Sequence, residues 1–134
     1  MAGGSWNGAG DVPAHPSAWC KAQQGWVSVF NQTTNATLNL EEVKTSNRVY
    51  RLWKDGAPGN EYFLLENRQQ TLYDLQLPGG GLLIFHIDDS IATNQDDHHP
   101  KVALVQADGL QQLESGANRG DRSEERRVGK ECRL

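Results

Sequence analysis

At 134 residues the chain is long enough for one domain with a real core and too short for two. A hydrophobic share of 37% and a charged share of 22% suit a globular piece, and no apolar run approaches the ~20 residues of a membrane helix. A net charge of −4, with Lys and Arg clustered only at the extreme C-terminus, argues against a nucleic-acid partner.

Residues 1–14 read as a Gly-rich loop, without the basic-then-apolar pattern of a signal peptide. The stretch 15–25 then predicts a short helix. Pro16 suits its first turn, where a missing N–H is harmless, and Gly25 suits the left-handed position past its end. Ala18, Trp19 and Ala22 give it an apolar face, and Trp26 anchors the exit. Cys20 reads as a small core residue of this helix.

From Val27 the hydrophobic period changes to two, and residues 27–110 read as β-rich. VSVF, ATLNLEEV, NRVYRLW, EYFLLENR, GLLIFHID and KVALVQAD are six strand candidates separated by turn-formers. Their spacing is too short for helical crossovers and predicts antiparallel pairing. GLLIF does not alternate, which predicts a central strand with KVALVQAD beside it. The expected fold is α+β and mostly β: one short N-terminal helix followed by an antiparallel sheet of about six strands.

Three groups of side chains invite a chemical reading. Asp88, Asp89, Asp96 and Asp97, with His86, His98 and His99, crowd one loop and its flanks and are calcium candidates, with zinc the alternative for the histidines. Their spacing matches no ligand pattern, so a polar loop between strands is the plainer reading. Glu66 and Arg68 lie two apart on one face of an otherwise apolar strand, which predicts a structural ion pair that pins the sheet. The sequons at Asn31 and Asn35 carry meaning only in a eukaryotic secretory setting; otherwise they are ordinary turn chemistry.

The C-terminal stretch 122–134 breaks from the rest, with no aromatic residue and dense charge. RSEERRVGKECR resembles translated read-through of a sequencing-library adapter, so an artefactual tail is expected there. Setting it aside leaves 8 Lys+Arg against 14 Asp+Glu, a net charge of −6, and leaves Cys20 as the single cysteine.

MAGGSWNGAG, PAHPSAWCKAQQGW, EYFLLENRQQTLYDLQLPGGGLLIFHID and HPKVALVQADG, in that order over residues 1–121, resemble the second half of the catalytic region in secreted bacterial metallopeptidases of the immune inhibitor A type. In that family an HExxH-type helix holds zinc, and its glutamate activates the bound water. A tight turn then places a methionine beneath the metal. The resemblance implies that Met1, followed by Gly3, Gly4, Ser5 and Trp6, is this Met-turn methionine and not a true start. It further implies a secreted parent acting on protein or peptide substrates, with zinc as its cofactor and the missing N-terminal half of the catalytic domain as this chain's partner. No HExxH occurs in the 134 residues, so the chain itself is expected to contain no catalytic residue and to be inactive. The competing reading is a non-catalytic β-rich module that binds a glycan or protein surface through Trp6, Trp26 and Trp53. A third is that sheet packing accounts for every residue.

Overall fold

A computed structural model of the chain describes residues 10–77, 79–96, 98–106 and 109. Met1, the Gly-rich turn up to residue 9, Asp97 and the stretch 122–134 lie outside the described residues. Within them, α1 (Ala18–Gln23) is followed by β1 (Ser28–Gln32), α2 (Val43–Ser46), β2 (Arg48–Trp53), β3 (Glu61–Arg68), a 3-10 turn (Leu72–Asp74), β4 (Gly81–Asp88) and β5 (Val102–Leu104). The protein is mostly β, an open sheet in the order β1-β2-β3-β4-β5 with two short helices.

The helix α1 starts later than the proline suggests. Ser17 is its N-cap, its hydroxyl accepting from the Cys20 N–H at 3.4 Å, and Pro16 stands just outside. At the other end Gly25 takes φ 69°, and the bonds Gly25 N–H to Ala22 O and Trp26 N–H to Lys21 O close a Schellman motif. Trp26 leaves this cap 60% exposed and anchors little.

The sheet is mixed, which corrects the antiparallel expectation. β2–β3, β3–β4 and β4–β5 pair antiparallel, but β1 runs parallel to β2, with Val29 opposite Val49. A parallel pair needs a return crossing of about a dozen residues or more. The segment 33–47 supplies it, and that is why ATLNLEEV is not a strand. Its backbone makes one isolated bridge, Glu42 to Asn67, while the Asn67 amide donates to Leu40 O at 2.7 Å. Val43 then opens α2, which Asn47 ends in the left-handed conformation at φ 51°. The described strands number five rather than about six.

Strand order also shifts the centre. β3 is the middle strand, and β4 lies between it and the short β5. One face of the sheet carries Val49, Tyr62, Leu64, Phe85 and Ile87, packed with Ala18 of α1 and Val43 of α2 as the buried core. Each fully buried aliphatic side chain there contributes roughly 1.5–3 kcal/mol. Glu66 and Arg68 continue this same face beyond Leu64, so the core ends in charge.

Candidate functional site

Period two on β3 carries the apolar row Tyr62 and Leu64 into Glu66 and Arg68, and at this end of the strand α1, α2 and the 3-10 turn converge. Two carboxylates and three cations meet there with little or no side-chain exposure. Lys21 Nζ of α1 donates to Glu66 Oε2 at 2.8 Å, and Arg68 Nη2 donates to Glu66 Oε1 at 2.5 Å. Glu66 is 0% exposed. A carboxylate in that position is tolerable only because both oxygens are taken by cations.

Asp74 is the second buried carboxylate, also 0% exposed. Its Oδ1 accepts from the His15 backbone N–H at 2.9 Å, while Oδ2 lies 3.5 Å from Lys44 Nζ and 3.9 Å from Arg68 Nε. Lys44 also pairs with Glu42 at 3.0 Å and donates to the carbonyls of Gln69 and Thr71 at 2.7 and 2.6 Å. Arg68 completes the arrangement by donating to His15 O at 3.1 Å and Pro16 O at 2.8 Å. Three cations, Lys21, Lys44 and Arg68, thus balance Glu42, Glu66 and Asp74.

Burial lowers the Lys21 ammonium below the ordinary lysine value, against the opposing attraction of Glu66. Glu42 is lowered chiefly by the hydroxyl of Thr71 and then by Lys44. A cleft of about 110 Å³ opens beside the network, lined by His15, Lys21, Trp26, Val27, Val43, Lys44 and Asn47.

The acidic loop is assembled differently. Asp88 Oδ1 accepts from the Ser90 N–H and hydroxyl at 2.9 and 2.5 Å, and Oδ2 lies 3.1 Å from His99 Nε2. The two bonds from Ser90 lead in lowering the Asp88 carboxyl below its usual range. Asp89 pairs with Lys101 at 3.5 Å, and Asp96 accepts from the His98 N–H at 2.9 Å. His86 turns away to Glu61, 3.0 Å distant, which Lys54 also holds. These carboxylates cap turns and form ion pairs. Among the described residues no three His, Cys, Asp or Glu side chains converge as ligands for one ion.

A third cluster escapes sequence reading. Arg51 of β2 stacks on Trp53 and Tyr62, its guanidinium carbon 5.0 and 4.6 Å from the ring centroids. Burial and a hydrogen bond to Asp89 push the Tyr62 phenol up to about 12. This stack holds Trp53 half-buried, leaving Trp26 as the exposed tryptophan among the described residues.

Sequence reasoning singled out Glu66 and Arg68, whose same-face spacing is visible in the string. It missed Lys21, Lys44 and Asp74. Asp74 carries the one faint signal, as a lone acid within the apolar run LYDLQL. Nothing in the sequence links Lys21 and Lys44 to it. Comparisons of the chain with protein-family models, with curated proteins and with solved structures each give no match.

Proposed function

We propose that this chain is the supporting, ligand-free part of the catalytic region of a secreted zinc endopeptidase, inactive by itself and completed by a separate stretch that carries the metal ligands. The ordered resemblance over residues 1–121 is the ground for the reading. The observation that supports it is the way Arg68 and Asp74 grip the backbone of His15 and Pro16. His15 and Pro16, which come after the Met-turn-like residues Met1 to Trp6 in the chain, are thereby tied to β3 through Arg68 and to the 3-10 turn through Asp74. A methionine that supports a metal from beneath needs such a rigid lead, because a misplacement of about 1 Å is expensive at a catalytic centre. The chain's own residues position; they do not activate water.

The test is proteolysis of casein in the presence of zinc. The isolated chain is expected to show none, and joining it to an upstream stretch encoding HExxH is expected to give cleavage that a chelator abolishes. Chelator-sensitive cleavage by the chain alone would overturn the reading.

A non-catalytic binding module is the second reading, favoured by the exposure of Trp26 at the rim of the cleft and of Phe30 on β1. A glycan ligand would quench Trp26 fluorescence, a signal lost in Trp26→Phe.

A further inference from the structure

We propose that segment 10–16 is an acid-sensitive latch, held on the sheet at neutral pH by the Arg68 and Asp74 clamps and released locally when the His15 imidazole gains a proton. The latch rests on the same Arg68 and Asp74 grip that supports the functional reading, but it is read by hydrogen exchange and not by proteolysis, so the failure of one is distinguishable from the failure of the other.

The geometry sets the conditions. The backbone N–H and C=O of His15 are both taken by buried side chains, Asp74 and Arg68, from elements more than fifty residues away in the chain. The imidazole stands 5.9 Å from the Tyr73 ring and shares the cleft wall with Lys21 and Lys44. The charged groups around it are Lys21 from α1, Lys44 from α2, Arg68 from β3 and Asp74 from the 3-10 turn. Behind the cations stand Glu66, bonded to Lys21 and Arg68, and Glu42, bonded to Lys44 and Thr71.

Glu66 and Glu42 are thus bonded to cations, while Asp74 has Oδ1 taken by the His15 N–H and Oδ2 without a hydrogen bond, 3.5 Å from Lys44 and 3.9 Å from Arg68. A proton on His15 adds a fourth positive charge to three cations without adding a counter-charge. Burial of the ring leads in holding the imidazole below its ordinary value of 6.5; Lys21, Arg68 and Lys44 act in the same direction and Asp74 opposes them. The closed latch thus binds fewer protons than the open one. Its stability is fully present above 6.5 and is lost as the pH falls from 6.5 through the lowered value. The Lys21–Glu66 bond still holds α1, so the opening stays local.

The experiment uses the full chain, labelled for NMR, from about pH 7.5 to about pH 5, the range in which histidine titrates. The ring titration of His15 and the hydrogen-exchange protection of its amide are followed together. Protection is expected to fall by at most about tenfold per pH unit, the limit for one proton, with a midpoint matching that of the ring. The Trp26 amide, bonded to Lys21 O within the α1 cap, is expected to keep its protection. In His15→Gln the fall should vanish. A fall that persists in His15→Gln, a midpoint near the carboxylate value of about 4, or flat protection in the wild type overturns the proposal. Should His15→Gln not fold, the agreement or disagreement of the two wild-type midpoints decides.

Discussion

Lys21 and Glu66, separated by 45 positions in the chain, meet at 2.8 Å with side-chain exposures of 5% and 0%. Their bond fastens α1 to the middle strand of the sheet. It does so at a place where Leu64, Val43 and Ala18 have already excluded water. Such a bond is costly to break from one side because the surviving charge has no solvent to turn to.

The two partners are not equivalent. Lys21→Met leaves Glu66 with Arg68 as its remaining partner, whereas Glu66→Leu leaves both Lys21 and Arg68 buried without their shared carboxylate. Glu66→Leu is expected to cost about 3–5 kcal/mol and Lys21→Met clearly less. The double variant should lose less than the sum of the two. Urea unfolding followed by circular dichroism measures all three, and equal losses for the single variants would contradict the asymmetry.

Gly80, where β3 returns into β4, is closely surrounded by backbone. A Cβ there would sit 3.1 Å from Arg68 O, 3.2 Å from the Gln69 Cα and 3.2 Å from the Gln70 N, all backbone atoms. Gly80→Ala should therefore destabilise by roughly 1–3 kcal/mol, as overpacking does. A thermal melt unchanged from wild type would show that the return loop gives way freely.

Leu72 adopts φ 50° although it is not glycine, and its side chain is 73% exposed. The left-handed region costs such a residue about 1–2 kcal/mol, and little burial offsets it. Asn tolerates this conformation better, so Leu72→Asn is expected to be neutral or to stabilise by several tenths of a kcal/mol up to about 1. A clear loss of stability in denaturant titration would mean that Leu72 makes contacts worth more than the strain.

Tyr62 gives the sheet an alkaline limit. Its phenol is raised from 10.0 to about 12, so the folded state keeps a proton that the unfolded chain releases. The stability this contributes is complete below 10.0 and is lost as the pH rises through about 12. Phenolate absorbance should show a late step that coincides with unfolding, and Tyr62→Phe should remove it. If the variant unfolds over the same alkaline range as the wild type, another group sets that limit.

Much of the strand content was legible because period-two patterning depends only on which residues neighbour one another. EYFLLENR and GLLIFHID fall on β3 and β4 residue for residue, Glu61–Arg68 and Gly81–Asp88. ATLNLEEV misled because its alternation, Leu38 and Leu40 between polar residues, suits an extended crossing as well as a paired strand. Pairing needs a neighbour, and β1 beside β2 leaves this stretch only the bridge from Glu42 to Asn67. The candidate site was legible only in its local half, the i and i+2 relation of Glu66 and Arg68.

The sequence by itself determined the α1 cap at Gly25, the apolar face of β3 and the charged pair at its end, since each follows from short-range sterics and side-chain alternation. Tertiary structure alone decided that β1 runs parallel to β2 and that Lys21, Lys44 and Asp74 gather around Glu66 and Arg68 to hold His15. Those relations join residues dozens of positions apart. They arise because the sheet and both helices share one buried face, and charges stranded at its edge must find partners wherever the fold brings them.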